Sequence, residues 1–194
     1  MYNFNALLER MKYIPRWSLM RQNSPEDVSQ HTTSMMLIAH TLCELANNRF
    51  SHPVRSEKVV LCGLYHDVSE ILPGDRPTPV KYNTDKLKSA YKEIETHANE
   101  RLLETARPEI KESRRPYMMQ TDLTDYERKL LKAADKISRL IKCIEEMRSG
   151  NKEFSGAYIS TLSAIKEMKL AEADWFLDNM VESFSLCLDE LAKI

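Results

Sequence analysis

The residues of this chain best equipped for chemistry lie in one short stretch, "GLYHDVSEILPGDRPTPV", Gly63 to Val80. It sets His66 beside Asp67, adds Glu70 three residues on, and runs into a loop with another acid, Asp75. Imidazoles and carboxylates at this density serve either as metal ligands or as general acids and bases. A helix continued through residue 72, at about 100° per residue, would put His66, Asp67 and Glu70 within an arc of about 100°. Gly63 would fall in the middle of that arc one turn earlier, where the missing side chain lets another segment approach. The opposite side carries Val60, Leu61, Leu64, Val68, Ile71 and Leu72. Burial on both faces is therefore expected, and a polar cluster in such a place needs a partner. A metal ion is one way to satisfy it.

A first-row metal needs more than one His-Asp pair, so the other histidines and acids are candidates by helical position. His31 stands in the first turn of "SQHTTSMMLIAH", just after Ser29, where a neighbouring loop could fold over it. His40, nine residues on, points about 180° away on the same helix and reads as a core histidine. His52 before Pro53 and His97 in "YKEIETHANERLL" read as surface residues. Among the acids, Asp135 in "RKLLKAADKISRLIKCIEEM" shares its side with Leu131, Ala134 and Ser138, at the edge of an apolar stripe. From the helix alone it is equally a ligand and a surface partner of Lys132 or Arg139.

The elements that must position these groups are helices. The chain has 194 residues with only four glycines, period-2 alternation is scarce, and long segments repeat apolar residues every three or four positions. The expected class is all-α, one domain over 1–194, with helices near 3–13, 29–47, 56–72, 84–106, 124–149 and two more between 153 and 192. Ser29 and Ser56 are the expected N-caps. Three loops remain: 14–28, the Pro/Gly-rich 73–83, and "RPEIKESRRPYMMQ". Phe176, Met180 and Phe184 form a stripe at four-residue spacing, expected to be core. Lys and Arg total 28 against 29 Asp and Glu, so no basic field addresses a nucleic-acid polymer. No run of roughly 18 apolar residues suits a membrane span, and no signal-peptide core opens the chain, so a cytoplasmic protein is expected. Cys43, Cys62, Cys143 and Cys187 are widely spaced, without a C-x-x-C pair, and read as reduced core thiols.

The ordered set His31, His66-Asp67, Asp135 resembles the metal-binding H…HD…D signature of the HD-domain phosphohydrolases. "PRWSLM" at 15–20, "DVSQH" at 27–31, "YHDVSEILPGDRPTPVKY" at 65–82 and "KAADKISRLIKCIEEM" at 132–147 extend the likeness to the bacterial 5′-deoxynucleotidases of the YfbR type over nearly the whole chain. The resemblance implies a helical HD fold, one divalent metal, a homodimer, and hydrolysis of deoxyribonucleoside 5′-monophosphates. On these positions, His31, His66, Asp67 and Asp135 match metal ligands, the acids and His31 also lying against the substrate. Arg16 and Trp17 match a substrate-contacting pair, Glu70 a residue needed for activity, and Asp75, Arg76, Pro77 and Thr78 a nucleotide-binding loop. Gln30 stands where relatives often carry an acid, and Pro73 and Arg76 also depart from the pattern.

The expected chemistry follows. Two neutral imidazoles and two carboxylates offset a divalent charge and leave coordination positions open. Cobalt or manganese is expected from the resemblance, with zinc, nickel, iron and copper as alternatives. Arg16 would fork onto phosphoryl oxygens. Glu70 and Asp75 would share the proton transfers, and Trp17 would offer a 2′-deoxy carbon an apolar wall. The competing expectations are an HD hydrolase of a triphosphate, cyclic dinucleotide or alarmone, and a nucleotide-binding HD module without turnover.

Overall fold

A computed structural model of the chain describes residues 2–76 and 84–192. The order is α1 (Phe4–Leu8), a 3₁₀ turn (Glu9–Tyr13), α2 (Val28–Asn48), α3 (Ser56–Leu64), a second 3₁₀ turn (Val68–Ile71), α4 (Asp85–Leu103) and α5 (Pro108–Met118). Then come α6 (Asp125–Arg148), a third 3₁₀ turn (Lys152–Phe154), α7 (Ser155–Lys166), α8 (Ala171–Asn179), a fourth 3₁₀ turn (Val181–Ser185) and α9 (Leu188–Leu191). The all-α expectation holds: among the described residues the only β pairing is an isolated antiparallel bridge between Pro15 and Asp27.

The chain forms two compact units. The first takes residues 1–21, 25–33 and 61–122, the second 22–24, 34–60 and 123–194. The first unit's core joins Phe4, Met11, Val28, Tyr65, Val68, Leu102, Leu103, Ala106 and Met118. In the second, α6 packs against α7 and α8. Its Leu130, Ile137, Leu140 and Cys143 are fully buried, as are Phe154 and Ile165.

Several boundaries differ from the sequence expectation, each for a local reason. α2 is capped by Asp27, not Ser29: Asp27 Oδ1 accepts from Gln30 N at 2.9 Å and Gln30 Oε1 accepts from Asp27 N at 3.0 Å. That is a capping box, in which the Gln30 side-chain oxygen does what a carboxylate at that position would also do. α3 starts with Ser56 inside it, while the Ser56 hydroxyl engages Asn47 and Glu44. α3 ends at Leu64 rather than at 72. The stretch 107–120 holds helix α5, with Pro108 in its first turn, where the missing N–H costs nothing, and Pro116 inside. The C-terminal region holds three helices, not two; Phe176 is buried and stacks on Phe184 at 6.4 Å, the latter reached by a 3₁₀ turn. His40 is exposed and faces Glu44 at 3.8 Å, so it is not a core histidine. Cys43, Cys62 and Cys143 are buried thiols, but Cys187 is exposed at the start of α9.

Buried carboxylates anchor the second unit. Glu146 accepts from Asn23 N at 2.8 Å, Ser24 N at 3.0 Å, Asn151 Nδ2 at 2.8 Å and Lys142 Nζ at 2.6 Å, which fixes residues 22–24 to α6. Glu127 closes the α6 capping box by accepting from Thr124 N, and also binds Arg55 through N, Nε and Nη2 at 2.6–3.0 Å. The Arg55 bond, set against the cost of burial, pulls the Glu127 carboxyl from its ordinary 4.5 to about 2. A folded value below the unfolded one stabilises the fold above about pH 4.5, and that contribution is lost as pH falls through about 2. It amounts to at most on the order of 3 kcal/mol, reduced because water screens the half-exposed Arg55. Glu127→Ala is therefore expected to lower urea-unfolding stability at pH 7 by about that amount and by distinctly less at pH 3, where the wild type has already lost part of the interaction.

Candidate active site

The central group is Asp67. α3 stops at Leu64, and the chain continues through bonds from His66 N to Gly63 O (3.1 Å), Glu70 N to Asp67 O (3.0 Å) and Leu72 N to Ser69 O (3.4 Å). These i→i+3 bonds wind at about three residues per turn, so residues three apart eclipse. The continuous helix through residue 72 expected from the sequence is thus replaced by a tighter turn that carries Glu70, with Asp67 at its N-cap. Asp67 has φ −105° and ψ 12°, a sparsely populated region in which catalytic residues recur. Both acids are buried.

Three nitrogen-bearing side chains meet the Asp67 carboxylate. His66 Nδ1 lies 2.6 Å from Oδ1, while Oδ2 is 3.7 Å from His31 Nε2 and 3.6 Å from Arg16 Nη1. Burial alone would raise this carboxyl, but the charges of His66, His31 and Arg16 and the His66 hydrogen bond outweigh it and hold it well below the usual carboxylate range. His31 reaches the site because the Asp27 cap starts α2 four residues earlier, and its ring is fully buried. Arg16 comes from the loop before α2. That loop is pinned by Arg16 N to Glu26 O (2.9 Å), Val28 N to Ile14 O (3.1 Å) and the Pro15–Asp27 bridge.

Glu26, which the sequence reading did not single out, ties this loop together. Its Oε2 accepts from both Arg16 Nε at 3.1 Å and Trp17 Nε1 at 2.8 Å. Trp17 adopts a positive φ of 58°, a left-handed conformation costly for a bulky residue, and its carbonyl accepts from Met20 N at 2.8 Å. Pairing across ten residues through one bridge leaves no periodic trace in a sequence.

Of the remaining expected site residues, Asp75 is half-buried just after Gly74, whose φ of 77° makes the turn, and Arg76 is exposed. Pro77 and Thr78 lie outside the described residues. Asp135 is half-buried on α6, in the second unit, beside Lys136. His52 and His97 are exposed, as expected. Thus Arg16, His31, His66 and Asp67 come together directly, with Trp17 joined through Glu26.

Among the described residues no three His, Cys, Asp or Glu side chains are placed to hold a metal ion together. The donors nonetheless suit a first-row divalent cation by type: an ionised carboxylate with two imidazole nitrogens and a guanidinium nitrogen, each within 4 Å of it.

An all-helical fold with an adjacent histidine and buried aspartate at a helix end is the arrangement of the HD-domain phosphohydrolases. The fold matches a solved HD-domain phosphohydrolase from Listeria innocua with a TM-score of 0.82 at 22% identity, over 94% of this chain and 88% of that one. It also matches a cyanophage S-2L HD phosphohydrolase solved with dA and one catalytic zinc ion, with a TM-score of 0.67 at 17% identity, over 92% of this chain and 96% of that one. At the level of sequence, residues 3–184 match the model of the 5′-deoxynucleotidase YfbR-like family. The chain is also 40% identical over 190 residues to a 5′-deoxynucleotidase of Vibrio vulnificus, covering 98% of both. The chain belongs to the YfbR-like 5′-deoxynucleotidase family.

Ligation by these groups would make stability depend on metal. Chelator-treated protein is expected to gain about 2.7 kcal/mol on adding manganese or cobalt at a hundred times its dissociation constant, or about 5–10 °C in Tm. His66→Ala should fold but show little of that shift in differential scanning fluorimetry. An undiminished shift would remove His66 from the ligand set.

Proposed function

We propose that this protein hydrolyses deoxyribonucleoside 5′-monophosphates to deoxynucleoside and inorganic phosphate. The observation that carries the reading is the convergence of Arg16, His31 and His66 on the buried Asp67, groups whose types suit a divalent cation and a phosphate. Family membership and the dA-bound cyanophage neighbour support the choice of a deoxynucleotide.

His31, His66 and Asp67 would hold one divalent ion, with Asp135 as a fourth donor that enters from the sequence motif alone. Cobalt or manganese is our choice, with zinc, nickel, iron and copper as alternatives. When bound, such an ion polarises the phosphoryl group and lowers the pKa of a water molecule. The protein's own groups do the rest. Arg16 grips two phosphoryl oxygens through its planar fork and offsets charge as the ester bond loosens. Glu70, buried in the 3₁₀ turn that Asp67 precedes, orients and deprotonates the attacking water. The water oxygen bonds to phosphorus, the bond to the 5′-oxygen breaks, and that oxygen takes a proton from Glu70 or Asp75. Trp17 gives the 2′-deoxy carbon an apolar wall, against which a 2′-hydroxyl would lose water without gaining a partner. Arg76, Pro77 and Thr78 are assigned to nucleotide binding from the sequence motif alone. We further propose that the enzyme works as a homodimer in the cytoplasm.

The decisive assay is phosphate release from matched deoxy- and ribonucleoside mono-, di- and triphosphates with each metal. The reading requires deoxynucleoside monophosphates to lead by about tenfold or more over their ribo counterparts; a preference for triphosphates would overturn it. Glu70→Ala should retain its metal by elemental analysis and lose about 10² to 10⁴ in kcat. Asp135→Ala should instead lose metal together with activity while keeping its helical circular dichroism, and full metal occupancy in this variant would return Asp135 to the helix surface.

A further inference from the structure

We propose that Glu26 is a positioning residue that couples phosphate recognition to sugar selection, by holding Arg16 and Trp17 on a single carboxylate oxygen. The inference rests on the reading that Arg16 meets the phosphate and Trp17 the sugar.

Three features carry it. Glu26 Oε2 accepts from Arg16 Nε at 3.1 Å and from Trp17 Nε1 at 2.8 Å, so a guanidinium and an indole from adjacent residues are referred to one atom. Adjacent side chains ordinarily diverge, and here the left-handed backbone of Trp17, φ 58°, returns the indole to the acid its neighbour binds. Finally, a guanidinium is planar and rigid. With Nε on Glu26 and Nη1 3.6 Å from Asp67 Oδ2, two carboxylates set its plane. Arg16 and Glu26 have side chains only 10% and 13% exposed, so water competes weakly for these bonds.

Loss of this hold has a signature that a general loosening of the fold lacks. Arg16 and Trp17 are released together, so phosphate binding and the preference for the deoxy sugar fall together. A substitution that keeps an oxygen at the same reach preserves the second.

The test uses the full-length, metal-loaded protein. In Glu26→Ala, KM for deoxyadenosine monophosphate is expected to rise about tenfold to a hundredfold, with a smaller loss of kcat, because the groups that orient the substrate are no longer preset. The ratio of kcat/KM for deoxyadenosine over adenosine monophosphate should fall with it. Glu26→Gln retains an acceptor for the indole, so its sugar ratio should stay near wild type while KM rises less. Trp17 and Trp175 are the only tryptophans, so in a Trp175→Phe background acrylamide quenching reads Trp17 alone. Quenching should increase in Glu26→Ala and return toward wild type in Glu26→Gln. Glu26→Asp, one methylene shorter, serves if the alanine variant does not fold, and it should lower the sugar ratio where Gln does not.

Unchanged KM, sugar ratio and quenching in Glu26→Ala would overturn the proposal. So would an equal loss of kcat on both sugars at an unchanged ratio, or equal ratios in wild type, Gln and Asp variants. A wild-type protein that releases no phosphate from deoxyadenosine monophosphate would remove the reading beneath it. The quenching series, which needs no turnover, would still decide whether Glu26 holds Trp17.

Discussion

The first unit is organised around one buried carboxylate. Asp67 is fed by three separate stretches of chain: Arg16 from the loop before α2, His31 from the first turn of α2, and His66 from the turn after α3. A buried carboxylate is costly unless charges and hydrogen bonds surround it, so each stretch must arrive at a fixed place. The capping box of Asp27 and Gln30 sets the start of α2, the Pro15–Asp27 bridge sets the loop, and the change from α to 3₁₀ winding sets the turn from Asp67 to Glu70.

Comparison with the second unit shows what distinguishes this acid. Glu127 and Glu146 are as deeply buried, but their oxygens are saturated by main-chain N–H groups, an amide, a lysine and an arginine, all serving to anchor chain. Such donors cannot exchange places with a ligand without undoing a turn or a cap. Around Asp67 the neighbours are two imidazoles and a guanidinium, groups able to bind a metal ion or a phosphate without any backbone giving way. Local chemistry, more than burial or a shifted pKa, sets Asp67 apart from these anchoring acids.

Much of this was legible in the sequence, for reasons that particular residues make plain. Apolar spacing gave the all-α class, and of the H…HD…D order the structure brings together His31, His66 and Asp67, because His66 and Asp67 are adjacent in sequence and His31 stands near a helix start. The end of α3 was hidden because Tyr65, Val68 and Ile71 repeat every three residues, a spacing that 3₁₀ and α winding share. α5 was hidden by Pro108 and Pro116, which read as breakers although one stands in the first turn. The Asp27 cap was legible as an acid three residues before Gln30, yet Ser29 drew attention by standing closer to the apolar run. Glu26 left no signal, since its partners are ten and nine residues away across a loop. His40 looked buried only because its helix is largely apolar.

In the reading proposed above, Asp67 and its histidines bind the ion beside which Arg16 binds the phosphate. The most direct measurement is cobalt-edge anomalous diffraction from crystals of the Glu70→Ala variant grown with cobalt and deoxyadenosine monophosphate. The account predicts one anomalous peak at bonding distance from His31, His66 and Asp67, with the nucleotide's phosphate on Arg16. A peak away from Asp67, or a phosphate held without Arg16, would contradict it.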